Sequence, residues 1–551
     1  MKPNTYCLVV FALLTYFAPT LVVEAVVPPP DGFYPGFNTA EGQNALFSLT
    51  TGSANAAVGW FSLWGNAEGS FNTATGAGTL LFNTANENTA FGAAALFFNT
   101  IGENNTAVGA AALLNNTEGI QNTAIGSQAL QSNTTGINNV ADGYQALLSN
   151  IDGNYNTASG LQALFHNTSG SNNVAIGPGA LFFNTTGNQN TAIGAGFVLY
   201  NNDTGNLNTA IGDFTLANNI TGSTNTAIGA NALFNNTVDG NTAIGFDALA
   251  SNTTGPYNTA NGAFALVNNT EGALNTGTGV GALQSNTMGN NNTGTGVGAL
   301  QDTNIGVANT AHGTYALASN TNGSFNTADG ASALPNNISG GSNIGLGVNA
   351  GTGVTTASNV ICIGVNIAGA DIDNSCYVGN IFGQSIDPAT AAAVGVDSTG
   401  KLGTVASSRR FKQDIEPMDD TSKAILALNP VAFHYKGDAK NTPCFGLIAE
   451  EVAEVNPGLV VRDKNGEILT VRYEAVNAML LNEFLKEHKT VQAQGATITQ
   501  QRKDFEAAIA QQQKEIEALT ATVKEQAAQI QSVSAQLELS KSAPQTVLNN
   551  Q

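Results

Sequence analysis

A repeat of 17 residues runs from Gly42 to Gly364 and constrains the fold of this chain more than any other feature. Its consensus is N-T-A-x-G-x-x-A-L-x-x-N-T-x-G-x-x, and only a few steps are 16 or 18 residues long. The anchoring glycines are Gly42, Gly59, Gly76, Gly92, Gly109, Gly126, Gly143, Gly160, Gly177, Gly194, Gly212, Gly229, Gly245, Gly262, Gly279, Gly296, Gly313, Gly330, Gly347 and Gly364. So strict a period indicates that each repeat is one structural unit of a regular array.

The repeat is too short and too rich in helix breakers to form a helical hairpin. A leucine follows four residues after each of the first eighteen glycines, with Val198 as the one exception. We predict a β-solenoid in which each turn carries two short strands, Thr-Ala-Ile and Ala-Leu, with Gly and Asn-Gly corners supplying left-handed backbone. Stacking should place Leu on Leu and Asn on Asn, and the rod should be about 90 Å long at the usual spacing of paired strands.

The repeat motifs resemble the head domains of trimeric autotransporter adhesins. Examples are the segments Asn122-Thr123-Ala124-Ile125-Gly126 and Asn190-Thr191-Ala192-Ile193-Gly194. The resemblance covers residues 38 to about 380, and it implies a left-handed parallel β-roll that stands in a group of three chains.

Positive charge is almost absent from the repeat region. The chain has 551 residues and a net charge of −21, and of its 18 Lys and Arg residues only Lys2 precedes Lys401. Nucleic acid is therefore an unsuitable partner, because no basic face is available to replace phosphate counterions.

The repeat region shows no pattern of catalytic or metal-binding residues. Its acids are scattered singly, as at Glu118, Asp152 and Asp239, and His166 and His312 stand in unrelated places. We expect no cofactor and no metal. The Asn-x-Ser/Thr triplets fall on consensus positions, which favours corner hydrogen bonds over glycan attachment. Rows of threonine on a flat solenoid face would also suit ice binding, so an ice-binding rod stays open as an alternative.

The first 25 residues have the features of a secretory signal peptide. Lys2 precedes an apolar run from Cys7 to Phe17, and Val23 and Ala25 occupy the small positions of a cleavage site. The run is short and interrupted for a membrane span. We therefore predict cleavage after Ala25 and a secreted or cell-surface protein, with a membrane anchor as the alternative.

Once Cys7 is removed with the signal peptide, three cysteines remain. Cys362 and Cys376 lie near the end of the repeats, and Cys444 lies in the C-terminal region. A disulfide between Cys362 and Cys376 is conceivable in an oxidising compartment, although their spacing departs from the repeat period.

The chain changes character after the repeats. Residues 381–406 form a small-residue neck, with a predicted strand at 393–396 and a turn at 397–400. A charged region follows, in which we predict a helix from about Asp419, a strand at 431–435 and a hairpin at Asn465-Gly466. A long helix should open at Tyr473.

Three motifs in residues 407–490 resemble the intramolecular chaperone and auto-processing domain at the C-terminus of phage endosialidase tailspikes, other tail fibres and myelin regulatory factor. The motifs are Ser407-Ser408-Arg409-Arg410-Phe411-Lys412 with Asp414-Ile415, then Phe445-Gly446-Leu447-Ile448-Ala449-Glu450-Glu451-Val452, then Tyr473 and its helix. The resemblance implies self-cleavage between Ala406 and Ser407, with Ser407 as the nucleophile and Lys412 as the general base. Ser408, Arg409 and Arg410 would support this pair.

The chemistry agrees with that assignment. A serine hydroxyl needs a neighbour to take its proton, and lysine accepts a proton only in its neutral form. We expect burial and the charges of Arg409 and Arg410 to favour neutral Lys412. Two alternatives stay open: the nucleophile is Ser408, or the segment only solvates the neck and the domain acts as a chaperone without cutting.

The final helix carries a heptad pattern that indicates a coiled coil over residues 491–540. One seam consists of Ile509, Ile516, Val523, Ile530 and Leu537, and the facing seam of Val491, Ile498, Phe505, Gln512, Leu519, Gln526 and Val533. These residues fit several strand numbers, and the family resemblance favours three.

The sequence therefore predicts a multi-domain fibre protein: a β-solenoid rod, a small α+β chaperone domain and a coiled-coil helix. Its domains are a signal peptide (1–25), the rod (38–380), the neck (381–406), the chaperone domain (407–490), the coiled coil (491–540) and a flexible tail (541–551). We expect a homotrimer whose rod has a structural or adhesive role, with a cell-surface glycan or host surface as an outside partner. A glycan-cleaving spike is a further rival.

Overall fold

The computed structural model describes residues 35–541, apart from residues 390, 398, 437 and 464. The predicted signal peptide (1–25) and nearly all of the predicted tail (541–551) lie outside the described residues. The chain divides into two compact units, and the boundary along the sequence lies between Gln384 and Ser385. No helix in the described part is long and apolar enough to cross a membrane.

The first unit is the predicted β-solenoid, which is thereby confirmed. Each strand pairs in parallel with the strand one repeat later, so that equivalent residues lie side by side. The strands are Thr39–Glu41 (β1), Ala56–Val58 (β2), Thr73–Thr75 (β3), Thr89–Phe91 (β4), Thr106–Val108 (β5), Thr123–Ile125 (β6), Val140–Asp142 (β7), Thr157–Ser159 (β8), Val174–Ile176 (β9), Thr191–Ile193 (β10), Thr209–Ile211 (β11), Thr226–Ile228 (β12), Thr242–Ile244 (β13), Thr259–Asn261 (β14), Thr276–Thr278 (β15), Thr293–Thr295 (β16), Thr310–His312 (β17), Thr327–Asp329 (β18), Ile344–Leu346 (β19), Ile361–Ile363 (β20) and Cys376–Val378 (β21).

The prediction of two strands per turn was wrong. The Thr-Ala-Ile segment is a strand, but the Ala-Leu segment forms a turn, and the inward leucines adopt positive φ angles. Leu130, for example, has φ of 52° and is fully buried. A left-handed leucine costs roughly 1–2 kcal/mol, and burial of its side chain in the column of leucines offsets this cost. Left-handed backbone is therefore not confined to the glycines.

Two columns of buried asparagines hold successive turns together. In the first column, the backbone N–H of Asn122 donates to Oδ1 of Asn105 at 2.9 Å. In the second, Nδ2 of Asn133 donates to Oδ1 of Asn116 at 2.7 Å. Both Asn122 and Asn133 also donate to the carbonyl of Gly136, at 2.8 and 3.0 Å. The predicted stacking of Asn on Asn and the corner hydrogen bonds are confirmed, since these asparagines are fully buried.

The two glycine positions of the repeat differ in backbone conformation, although a Cβ would be too close to the next turn at both, and on Gly126 it would lie 2.4 Å from the carbonyl oxygen of Gly143. The anchor Gly126 has φ of 129°, which L side chains rarely adopt. Gly136 has no positive φ, but a Cβ there would lie 2.6 Å from the carbonyl oxygen of Gly153 in the next turn. The second glycine is therefore required by the close approach of stacked turns.

The strand pairing at the end of the rod argues against a disulfide between Cys362 and Cys376. Cys362 lies opposite Tyr377, and Cys376 lies opposite Ile361, so the two cysteines are one position out of register. Because neighbouring positions on strands point to opposite faces, Cys362 is buried whereas Cys376 is exposed. Both thiols are free.

The second unit is a small α/β region that ends in a long helix. Its remaining strands are Val394–Val396 (β22), Leu402–Thr404 (β23), Val431–Phe433 (β24), Cys444–Gly446 (β25), Val460–Arg462 (β26) and Ile468–Val471 (β27), which form three antiparallel pairs. The 3₁₀ helices are Arg409–Phe411, Asp419–Ala427 and Pro457–Leu459, and the α-helices are Ala449–Val455 (α1) and Tyr473–Leu539 (α2).

The core of this unit is small. Its buried apolar residues are Val452 of α1, Leu459 of the last 3₁₀ helix, Val460 and Val471 of the last hairpin, and Met479 of α2. Five side chains cannot provide much hydrophobic stabilisation for a unit of this length.

Candidate self-processing site

The predicted cleavage site lies in the exposed segment between β23 and the Arg409–Phe411 helix. Ser408 precedes this helix in an extended conformation, with φ of −64° and ψ of 143°. The carbonyls of Ser408 and Arg409 accept the N–H groups of Phe411 and Lys412, at 3.0 and 3.1 Å. This single turn carries Lys412 back toward Ser407.

The turn brings the predicted nucleophile and base together. Nζ of Lys412 lies 3.2 Å from Oγ of Ser407 and donates a hydrogen bond to it. A distance of this size is within reach for proton transfer between a nucleophile and its base. Ala406, whose carbonyl precedes Ser407, is exposed, and so is Val405. The peptide bond is therefore open to attack.

The supporting residues make different contacts. The guanidinium of Arg410 lies 4.6 Å from the centre of the Phe411 ring, which is a cation–π contact. The Ser408 side chain forms no capping hydrogen bond with the helix it precedes. Among residues 405–416, the Ser407–Lys412 contact is the one side-chain hydrogen bond in the described structure. The geometry thus pairs Lys412 with Ser407 rather than with Ser408.

The expectation that Lys412 is buried does not hold in the single chain. Every residue from 405 to 416 is exposed, including Ser407 and Lys412. The reason is that the small core of this unit lies around α1 and the last hairpin and leaves the cleavage segment uncovered. In the described structure no part of the chain therefore desolvates the pair.

The second and third motifs meet in space. The backbone N–H of Leu447 donates to Oη of Tyr473 at 3.2 Å. A Cβ on Gly446 would lie 2.9 Å from the same phenol oxygen, so a larger residue there would displace the Tyr473 side chain. The Phe-Gly-Leu motif and the tyrosine that opens α2 therefore form one structural joint.

A polar network joins the Asp419–Ala427 helix to α2, and sequence reasoning missed it. The Ser422 hydroxyl is buried and donates to the Glu483 carboxylate, while Nδ2 of Asn482 donates to Ser422 at 2.7 Å. Lys486 forms an ion pair with Glu483 at 2.7 Å. The hydrogen bond from Lys486, followed by that from Ser422, lowers the pKa of Glu483 below its usual value. The Glu483–Lys486 spacing of three residues was the one available signal.

An apolar groove of about 560 Å³ opens beside this joint. It is bordered by residues such as Val431, Phe445, Tyr473 and Leu480. Phe445 is 82% exposed and Leu480 is 57% exposed, which is unusual for large apolar side chains that stand together.

The long helix leaves its apolar seams open. Met479 is its one buried residue in the described structure. Both predicted seams are exposed, as Ile509 and Ile516 show at 63% and 56%. Apolar seams of this kind on a helix of 67 residues need partner helices to cover them.

Comparison with known proteins gives one match. Residues 407–461 match the family model described as the chaperone of endosialidase. No curated protein and no solved structure matched the chain. The matched segment begins at Ser407 and includes the Phe-Gly-Leu motif. The chain thus combines a β-solenoid with a C-terminal segment that is similar to the chaperone of endosialidase.

Proposed function

We propose that this protein is a secreted, homotrimeric fibre whose C-terminal domain aligns three chains and then cuts itself off between Ala406 and Ser407. The observation that carries the proposal is the 3.2 Å contact between Lys412 and Ser407 at the first residue of the chaperone match. A Ser-Lys pair placed at a domain boundary suits a single self-cleavage event.

The cleavage proceeds in two steps. Neutral Lys412 takes the proton of the Ser407 hydroxyl while Oγ attacks the carbonyl carbon of Ala406. The bond from that carbon to the Ser407 nitrogen breaks, the nitrogen gains a proton, and an ester links the two parts. Water then hydrolyses the ester, leaving a carboxylate on Ala406 and a free amine and hydroxyl on Ser407.

Because Ser407 and Lys412 are exposed in the single chain, cleavage would begin only when the pair becomes desolvated. In water a lysine is protonated and cannot act as a base, whereas desolvation favours its neutral form. Packing of three chains around residues 405–416 would supply that desolvation. Cleavage would then follow assembly and not precede it.

The open apolar surfaces provide the trimer contacts. The seams of α2 would pack on two further copies, and the groove at Phe445 would receive an apolar segment of a neighbouring chain. We propose that these contacts form first and bring the three rods into register. Identical repeats can otherwise pair one turn out of step at little energetic cost.

Secretion rests on the sequence pattern of residues 1–25, and it agrees with a fibre that works outside the cell. The rods would stand side by side, as in the adhesin heads that the repeats resemble. Their partner would be a cell-surface glycan or another host surface. Irreversible loss of the C-terminal domain would then make the assembled fibre kinetically stable.

Electrophoresis of the expressed chain, with and without boiling, tests the proposal. We expect two fragments after boiling, one of which is residues 407–551, and a slower trimer band without boiling. Ser407→Ala should give one full-length band, and Lys412→Arg should do the same because the guanidinium stays protonated. Ser408→Ala should still be cut. A full-length wild-type band, or cutting of Ser407→Ala, would remove self-cleavage from the proposal.

An ice-binding rod is the second candidate function. The strand face carries threonines at the first position of most strands, and Thr106 and Thr123 are examples that remain partly exposed. In this case the C-terminal domain would only direct trimer formation. Thermal hysteresis in solutions of the purified protein would support this candidate, and its absence would exclude it.

A further inference from the structure

A groove of about 900 Å³ lies on the rod, on the side formed by the two residues that follow each inward leucine. In the turns on either side of the groove these two positions carry aromatic residues, such as Phe97 and Phe98 or Phe165 and His166. Over the three turns between them they carry no aromatic residue, and a depression results. The residues at its floor are Asn115, Gln131, Ser132, Leu148 and Ser149.

Aromatic rings close both ends of this depression. At one end Phe82 stacks on Phe98, with ring centres 5.7 Å apart and planes 7° from parallel. At the other end Phe165 stacks on Phe182 at 5.1 Å, and His166 stacks on Phe183 at 5.2 Å. The turns that hold Phe98 and Phe165 are four steps apart, or about 19 Å at the usual strand spacing.

The polar side chains of the floor have no partner in the described structure. Gln131 is 92% buried, since 8% of its surface is exposed, yet its amide forms no hydrogen bond with the described residues and borders the groove. Asn115, Ser132 and Ser149 are also without side-chain hydrogen bonds there. Because the amide atoms of Gln131 are not fully enclosed, they reach the groove, where they can donate and accept hydrogen bonds with a ligand.

The same side of the rod looks different further along. Asn201 donates to Asn218 at 3.1 Å, and Asn218 donates to Asn235 at 3.0 Å. These residues occupy the same repeat position as Asn115, Ser132 and Ser149 but bond to one another. Open polar side chains also occur at this repeat position elsewhere, as at Ser251 and Ser285, so the feature that distinguishes the groove is the pair of aromatic ends around its polar floor.

The groove carries no formal charge. No Lys, Arg, Asp or Glu borders it. Burial lowers the pKa of His166, which keeps its imidazole neutral at neutral pH. The absence of Lys and Arg between residues 3 and 400 also disfavours an anionic ligand.

We propose that this groove binds a neutral oligosaccharide that lies along the rod axis between the two aromatic ends. Sugar rings present apolar C–H faces to aromatic rings and hydroxyls to amides and serines, which is the combination this groove offers. The step between turns is close to the repeat of an extended hexopyranose chain, so successive rings can meet successive turns. The inference does not depend on trimer formation or on self-cleavage.

The test uses the purified full chain and an array of neutral and acidic glycans, followed by titration calorimetry with the best neutral oligosaccharide. Ser132→Phe fills the groove with a residue that Phe98 and Phe183 already provide at the same repeat position. Gln131→Leu places there the residue found at Leu114 and Leu148. Ser251→Phe introduces the same bulk at the same repeat position outside the groove and is the matched control.

We expect binding of a neutral glycan, loss of binding in Ser132→Phe and a roughly fivefold to tenfold weaker affinity in Gln131→Leu. Ser251→Phe should bind as the wild type does, and all variants should melt at similar temperatures. No binding on the array, preference for acidic glycans, or unchanged binding by Ser132→Phe would overturn the proposal. Sedimentation velocity is run in parallel: a change of assembly state without any glycan binding would assign the groove to a second copy of the chain instead.

Discussion

The rod and the C-terminal unit of the same chain differ in how completely they bury their large apolar side chains. In the rod, leucines such as Leu130 and asparagines such as Asn133 are fully buried by the neighbouring turns of their own chain. In the C-terminal unit, large apolar residues such as Phe445 and Ile509 remain exposed, and the buried core is small.

This difference shows where assembly is needed. A solenoid completes its core by repetition along one chain, so its stability is a sum over neighbouring turns. A small unit with a long amphipathic helix completes its core only between chains. The unit with the open apolar surfaces is therefore the one that is similar to a chaperone, and in the proposed trimer the rods would need partners for alignment rather than for folding.

The largest expected effect comes from breaking the helix seam. Ile509→Asp with Ile516→Asp places charges where helices should pack, and we expect complete loss of the trimer because buried unpaired charges are strongly unfavourable. The sheet content and the melting transition of the rod should persist. Light scattering measures the loss of the trimer, and circular dichroism measures the sheet content and the melting transition of the rod.

The control for this experiment is Gln511→Asp with Ala518→Asp. It adds the same number of charges to the outer side of the helix, and the trimer should survive. Loss of the rod's sheet content in the seam variant would show that the rod, too, needs its neighbours in order to fold.

The next effect concerns the close approach of stacked turns. Gly136→Ala places a Cβ 2.6 Å from the Gly153 carbonyl oxygen, and we expect about 2 to 3 kcal/mol of destabilisation by overpacking. Gly281→Ala is the matched control, because Ala94 and Ala111 already occupy that repeat position with positive φ angles of 59° and 57°. Chemical denaturation compares the two variants.

Equal effects of the two glycine substitutions would contradict the explanation by close approach. They would show that a methyl group is equally unfavourable at any glycine of the repeat. The contrast between a rod held by tight stacking and a loosely packed C-terminal unit would then lose its main support.

A smaller effect is expected at the polar network of the C-terminal unit. Ser422→Ala removes the buried hydroxyl that bonds to Glu483 and Asn482, and we expect about 1 to 2 kcal/mol less stability in this unit alone. Thr421→Ala, at an exposed neighbouring position, should be close to neutral. Calorimetry should show a change in the transition of the C-terminal unit and none in that of the rod.

The smallest effect should appear at the end of the rod, where Asp371 closes the last turns. Its carboxylate accepts hydrogen bonds from Thr355 and Thr356 and from the N–H of Ala357, at 2.6 to 2.9 Å. The side-chain bond from Thr355, followed by the backbone bonds, lowers the pKa of Asp371.

A lowered pKa makes the carboxylate stabilising above its unfolded value of about 3.9 and progressively less so as the pH falls below that value. Asp371→Asn should lack this dependence. We expect slightly faster hydrogen exchange in residues 341–378 of the variant at pH 7, and a smaller difference from the wild type at pH 3. An equal difference at both pH values would show that the charge of Asp371 has no role.

Much of the fold follows from the sequence alone. The strict spacing of glycine, leucine and asparagine predicted the solenoid and its stacked columns, and Tyr473 was correctly identified as the start of the long helix. The number of strands per turn was predicted wrongly, because a buried leucine such as Leu130 gives no sign in the sequence that its φ is positive.

The candidate site was less accessible to sequence reasoning. The assignment of Ser407 and Lys412 stays a prediction, although their side chains lie 3.2 Å apart. Their exposure was not foreseen, since exposure depends on which segments pack over them. The Ser422–Glu483 contact joins residues 61 positions apart, and no local sequence pattern predicts it.

What the sequence determined by itself is the framework of the repeats: the period, the residues that face inward and the end of the rod. Repetition makes neighbours in space identical to neighbours in the pattern, so local rules suffice. The tertiary structure alone decided what occurs once, namely the joint of Gly446 with Tyr473, the polar network at Ser422 and the open groove at Gln131. Each of these depends on contacts between particular side chains, and such contacts are fixed only when the chain has folded.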